Sequence, residues 1–384
     1  MADTTYELAD HDKGGFTKSV KAVLFYKLHN ADPETVVSSF EEGVRNATRH
    51  LPFMAGHLHF YASGKLCIMA SPESSIEVNV RRFTSSECET FSVLARESFS
   101  PNNLDLTRFL PQEPTIKQPV SLIQLSLIEG GLALPLFHVI EKSKFKFNPP
   151  PPTFAGIFRI TEPTIQQLKA QCKPYLSEVE YITSYDCISA LVWKAFTRAR
   201  LQVHPDKANA SSRFVHHINV RSRDPEHKTS PGYFGNAVIG TLVGPVKANV
   251  LAKTDDHALA IAASQIRKSI QAIDVSTISH MTALQASLTD TELLIPNADF
   301  ADMDLFMNTW YTGTADKYDL GGAAGPGPVA FRLHTGVPGA CAGILPNLSS
   351  GNTRVFEIFV QAAVPEFEVF SKDLEFLKYF EHVV

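Results

Sequence analysis

Between Asp32 and Leu51 the apolar residues Val36, Val37, Phe40, Val44, Ala47 and Leu51 recur at the spacing of one helix face. Asp32 can accept the free first-turn amides and Pro33 is pre-set for the first turn. The pattern therefore predicts a capped amphipathic helix, which Pro52 ends. Runs with strand character follow at residues 58–61, 66–70 and 120–127, the last alternating and rich in apolar residues. A second helix is expected from near Thr161. A third is announced by Thr183 with Asp186 three residues on, its apolar face being Ile188, Leu191, Val192, Ala195 and Ala199. A fourth runs from about Thr254 with Leu259, Ala262, Ile266, Ile270 and Ile273 on one side. Leu374, Leu377 and Phe380 give a short C-terminal helix. Strand-like pieces at 215–220, 237–242 and 355–362 separate these helices, so the fold class is α/β or α+β, with helices packed on mixed sheets.

Composition sets the scale. The 384 residues, 44% hydrophobic and 20% charged, suffice for two ordinary cores. The apolar stretch at 132–140 is interrupted by Pro135 and His138 and falls short of the roughly 20 residues a spanning helix needs. The polar segment 1–15 carries no secretory pattern, so the expected location is cytoplasmic, away from any membrane. A net charge of −5, with no basic run longer than Arg81-Arg82, argues against nucleic acid and for a small-molecule partner. The five cysteines, Cys67, Cys88, Cys172, Cys187 and Cys341, are scattered without a C-x-x-C pair and read as buried apolar residues rather than a disulfide framework or zinc site. His57 and His59 alternate like a metal pair, but no third ligand accompanies them, and strand surface is the simpler reading.

The sharpest punctuation lies at 142–153, where Lys142, Lys144 and Lys146 interleave with Phe145 and Phe147 and run into four consecutive prolines, Pro149 to Pro152. Those prolines lack donors and stiffen the chain into an extended form. The expected division is a domain over 1–148, a linker over 149–152 and a second domain over 153–384.

Six blocks carry a resemblance. They are SSFEEGVRNATRHLPFMAGHL (38–58), PVSLIQLSLIEGGLAL (119–134), GIFRITEPTIQQLKA (156–170), TSYDCISALVWKAFTRAR (183–200), PGYFGNAV (231–238) and NTWYTGTADKYDLGG (308–322). In this order they resemble fungal members of the BAHD acyltransferase superfamily, in particular the trichothecene 3-O-acetyltransferase branch. The resemblance implies two domains like chloramphenicol acetyltransferase halves with a channel between them. It also implies an acyl-CoA, typically acetyl-CoA, as co-substrate with no bound cofactor or metal, and a terpenoid or polyketide alcohol as acceptor. The chain is expected to act as a monomer.

Such a transfer needs a base to take the proton of the attacking hydroxyl, and histidine suits that at neutral pH. The family takes it from an H-x-x-x-D motif after a Gly-Gly-Leu strand end, here Gly130, Gly131 and Leu132. None of the fourteen histidines in this chain is followed four residues later by aspartate. Counted without a gap, the base position falls on Ile140 and its partner on Lys144; counted from His138, the partner is Lys142. The segment from Phe137 to Pro152 thus reads as the family's linker arriving early, with the first domain truncated and the catalytic base unknown. His138 is a displaced base or, more simply, a linker histidine.

The family's Asp-Phe-Gly-Trp-Gly signature is represented, in degraded form, by Asp319, Gly321 and Gly322, a structural motif or a generic glycine-rich turn. Thr309 and Trp310 match a Ser/Thr-Trp pair beside the acyl channel, where a hydroxyl would stabilise the oxyanion; ordinary core is the competing reading. Asp186 lines the channel or caps its helix. Arg332 meets the CoA phosphates or is a solvated strand-end arginine. Three functions stay open: a CoA-dependent O-acyltransferase, a ligand- or partner-binding relative without turnover, and a cavity turned to lyase or cyclase chemistry.

Overall fold

A computed structural model describes residues 3–8, 22–28, 32–61, 66–111, 119–136, 152–223, 237–287, 296–311, 327–333, 339–346, 348 and 353–384. His138, Asp319, Gly321, Gly322 and the linker up to Pro151 lie outside the described residues.

The expected caps form. Asp32 accepts from Thr35 N at the start of the helix Pro33–His50, Thr161 caps Glu162–Cys172, and Asp255 accepts from Ala258 N ahead of Asp256–Gln271. Thr183 and Asp186 make a reciprocal capping box on Ser184–Val203. The C-terminal helix is shorter than its apolar spacing suggested, Leu374–Leu377, and Leu374 is 86% exposed. The buried face is instead carried by Phe376 and Phe380, whose rings stack at 4.2 Å.

Three sheets are present among the described residues. A small antiparallel one has the order Thr4–Glu7, Leu66–Ala70, His57–Phe60. A five-stranded sheet runs Ala330–Leu333, Ala22–Lys27, Gly131–Leu136, Ile123–Ile128, Val78–Arg82, with the last pair parallel. A seven-stranded sheet runs Val238–Lys247, Ser211–Asn219, Leu305–Thr309, Cys341–Ile344, Val355–Ala363, Thr153–Thr161, Glu381–His382. Leu305–Thr309 is parallel to both its neighbours and the other pairs are antiparallel, so the sheet is mixed as expected.

The strand pairing does not follow the division at 149–152. Ala330–Leu333 pairs antiparallel with Ala22–Lys27, so the second half of the chain supplies the edge strand of the first sheet. Without it, the backbone edge of Ala22–Lys27 would stand open. Residues 23–26 of this strand are buried on both sides. Val23 and Phe25 belong to an outer cluster with Phe91, Phe99 and Phe109, whereas Leu24 and Tyr26 belong to an inner cluster with Leu125, Leu132, Ile157, Phe331, Cys341 and Phe359. A continuous apolar run is what a strand covered on two faces requires. The inner cluster welds the two larger sheets. On the far face of the seven-stranded sheet, the helices Glu162–Cys172, Ser184–Val203, Asp256–Gln271 and Val364–Phe370 bury the largest cluster, centred on Trp193, Phe214, Ile188 and Leu305.

Candidate active site on the inner face of the large sheet

Strand alternation sorts the side chains of the large sheet into two sets. On Ser211–Asn219, Ser212 accepts from Trp193 Nε1 at 2.7 Å and Phe214 lies in the helix-side core, so Val215 and His217 take the inner face. On Leu305–Thr309, Leu305 and Met307 go to the helices, leaving Phe306 and Asn308 inside. On Cys341–Ile344, Ala342 and Ile344 go to the helices, leaving Cys341 and Gly343 inside.

Trp310 reaches this inner face too. Its amide donates to Ile344 O at 2.8 Å, and its indole lies over Gly343, where an added Cβ would come within 2.5 Å of Cζ3. Glycine at 343 is what lets the ring settle against the sheet. Thr309 falls in the alternation of Leu305 and Met307, is exposed, and accepts from Tyr311 N at 3.1 Å through its hydroxyl. Trp310 and Thr309 are therefore not side by side on one face.

Two other expected channel residues are held in structural networks. Asp186 is wholly buried, accepts from Thr183 N and Oγ1, and pairs with Arg267 at 2.6 Å. Burial pushes its carboxyl up, against the pull of Thr183 and Arg267. Arg332 is 2% exposed rather than solvated. Its Nε donates to Phe99 O, its Nη2 to Ser98 O, and its Nη1 to Phe331 O and to Glu357 Oε2 at 3.0 Å. Ser98 and Phe99 have φ of 54° and 52°, a left-handed pair that these carbonyl contacts help hold. Nearby, the Asn102 side-chain amide bonds both the N–H and the C=O of Ala155, extending the edge of the large sheet from the first half of the chain. With these contacts made, the Arg332 guanidinium serves as a clamp between the halves.

Among the described residues no group of three or more His, Cys, Asp or Glu could hold a metal, and His57 and His59 lie on a strand without a third partner. All five cysteines are free and buried, and burial pushes the Cys172 and Cys341 thiols up to about 12. No helix among the described residues is long and apolar enough to cross a membrane.

Sequence reasoning passed over the adjacent pair His216 and His217, which the pleat sends to opposite faces. His216 is buried among the helices; its Nδ1 lies 2.9 Å from Tyr185 Oη and its Nε2 3.0 Å from Ser269 Oγ, which itself donates to Ile266 O. That chain assigns the Nε2–H tautomer, and burial pulls the ring's pKa down to about 3, so it stays neutral. His217, half-buried on the inner face, touches Phe306 edge-on at 5.5 Å and 72°. Its ring nitrogens have no hydrogen-bond partner among the described residues, and burial alone lowers its pKa. The sequence signal was the doublet itself, since neighbouring residues on a strand must face opposite ways.

Two mixed-sheet halves, tied by a strand returned from the second to the first and meeting over a shared inner core, define a two-domain α/β transferase architecture. The chain belongs to the Transferase family, whose model matches residues 155–376, and within it to the BAHD acyltransferases. Over its full length and all of the other chain it is similar, at a TM-score of 0.83 and 17% identity, to TRI101 of F. sporotrichioides, solved with coenzyme A and T-2. The F. graminearum TRI101 complex with coenzyme A and deoxynivalenol gives 0.81 at 16% identity, covering 99% of this chain and 100% of that one. The acyltransferase cm3D of Cordyceps militaris is 28% identical over 207 residues, which are 53% of this chain and 41% of that relative. The match thus spans less than half the length of that curated relative.

Proposed function

We propose that this chain is a CoA-dependent O-acyltransferase, moving an acetyl group from acetyl-CoA to a hydroxyl of a fungal terpenoid or polyketide metabolite. It would act as a monomer in the cytoplasm. The observation that carries the reading is the full-length likeness to a fold solved with coenzyme A and a trichothecene, joined to the family membership. In this reading the inner face of the large sheet is one wall of the acyl channel, with Trp310 as its apolar surface. Asp186 and Arg332 hold the frame rather than touch substrate. Transfer requires the acceptor oxygen to attack the thioester carbonyl while losing its proton, so an unprotonated group must stand beside it.

The test uses the full chain. Calorimetric titration with CoA should give saturable binding, and acetyl-CoA with deoxynivalenol as probe acceptor should release free thiol together with an acetylated product seen by mass spectrometry. Absence of CoA binding overturns the reading. The missing H-x-x-x-D pair favours a second reading, a relative that binds CoA or a ligand without turnover. CoA binding with no thiol release across a panel of hydroxylated sesquiterpenoids and polyketides would select it.

A further inference from the structure

The inner face holds an imidazole that nothing in the fold accounts for. Its twin, His216, is fully used, with both ring nitrogens engaged and the ring packed beside Tyr185 at 5.6 Å. His217 is the reverse case. It is half-buried on the inner face, and among the described residues neither ring nitrogen has a hydrogen-bond partner. The ring nitrogens are not among the sealed, partnerless polar atoms of the fold, so they stand open to an incoming ligand group.

The surroundings suit a small polar ligand. The residue directly across the ladder is Gly240, where even an added Cβ would stand 3.6 Å from His217 Cδ2 and 3.7 Å from Nε2. The neighbouring strand places Asn308 on the same face as His217. Val215 and Phe306 are paired, and His217 and Asn308 each lie two residues further along their parallel strands. Asn308 Oδ1 accepts from Thr309 N at 2.8 Å, which fixes the amide, while its Nδ2 has no partner among the described residues and is a donor in waiting. Two residues beyond Asn308 comes Trp310, on the same face. One wall therefore presents an unpartnered nitrogen, an amide donor and an aromatic surface in sequence.

We infer that His217 is the general base of this chain, taking the place of the absent family histidine, with the Asn308 amide as donor to the developing oxyanion. The inference rests on the acyltransferase reading above. The neutral imidazole accepts the proton of the acceptor hydroxyl as its oxygen bonds to the thioester carbonyl carbon. The negative charge on the carbonyl oxygen is met by Asn308 Nδ2–H. The C–S bond then breaks, and the imidazolium returns its proton to the CoA thiolate, so ester and free thiol are the only products. Burial lowers the pKa of His217, with no charged neighbour contributing; Arg213, on the same face of the strand, is turned to Asp304. The ring is thus in its accepting form at neutral pH.

The experiment compares wild type with His217→Gln and, as a matched control, the exposed His280→Gln. Readouts are CoA affinity by calorimetry, melting temperature, and the pH dependence of thiol release from acetyl-CoA with deoxynivalenol. Expected is a loss of roughly a hundredfold or more in kcat for His217→Gln, with CoA affinity and melting temperature near wild type. The acid limb of kcat/KM, where the wild-type rate falls as His217 protonates, disappears with it. If wild type turns over and His217→Gln keeps both rate and limb, the base assignment is overturned and the transferase reading stands. If wild type binds CoA but releases no thiol, the base assignment is likewise overturned. If wild type does not bind CoA, the transferase reading falls and takes the inference with it.

Discussion

Arg332 and Glu357 meet at 3.0 Å across the junction of the two halves, the arginine on the strand lent to the first sheet and the carboxylate on the large sheet. Arg159 Nη2 closes on the other oxygen of Glu357 at 2.7 Å. Arg332 also donates to the carbonyls of Ser98 and Phe99, so its one guanidinium joins three segments distant in sequence. Replacing Arg332 by Met should cost about 3–5 kcal/mol, because it leaves buried carbonyls unpaired and takes from Glu357 the more buried of its two arginines. Denaturant melts measure this, and CoA affinity of the folded fraction should stay close to wild type if the arginine is a clamp.

The pair also sets an acid sensitivity. Burial raises the pKa of Glu357, but Arg332 and Arg159 outweigh it and the carboxyl sits below its ordinary 4.5. A depressed folded-state pKa contributes stability that is present above the unfolded value and lost as pH falls through the folded one. Stability should therefore drop below about pH 4.5, and Glu357→Gln, already weaker at neutral pH, should show a shallower acid decline in the same melts.

Gly343 and Trp310 give an optical test. A methyl group at 343 would collide with the indole, so Gly343→Ala should push the ring off the sheet at a cost of about 1–3 kcal/mol. The chain has two tryptophans, and Trp193 is wholly buried, so emission from a Trp193→Phe background reports Trp310 alone. A red shift on adding Gly343→Ala is expected; an unchanged spectrum would mean the ring is not seated there.

Asp186 separates a frame role from a channel role. Asp186→Ala removes the capping box and strands Arg267 without its partner, with an expected loss of about 3–5 kcal/mol. Measured below the melting transition, the KM for acetyl-CoA should be unchanged. A raised KM at unchanged stability would instead place the carboxylate against substrate.

The C-terminal helix is pinned by ions. Lys194, inside the helix Ser184–Val203, reaches Glu375 at 2.7 Å, and Arg198 holds Asp373 at 2.6 Å. Glu375→Leu should leave the Lys194 ammonium buried and unpaired, lowering stability by about 3–5 kcal/mol. Lys194→Met in the same chain should recover much of that loss.

Local chemistry was legible in the sequence; pairing between distant segments was not. Asp32, Thr161 and the Thr183/Asp186 pair announced their helices because a cap is decided by residues within one turn. Ala22–Lys27 was missed because a strand buried on both faces shows no alternation. Ala330–Leu333 was missed because its partner comes from the other end of the chain. For the site, the motif named Trp310 as a channel residue, and the structure puts its ring on the inner face over Gly343. The facing of His217 and Asn308 follows only from register with strands whose alignment no local pattern fixes.

The lent strand makes timing matter. The first sheet waits for residues 330–333, so a nascent chain leaving the ribosome carries an unfinished edge at Ala22–Lys27 through most of its synthesis. A fragment stopping at the proline linker should inherit that sticky edge permanently and precipitate. Adding residues 153–384 as a separate polypeptide during refolding should rescue it, so the two halves behave as complementing fragments of one unit.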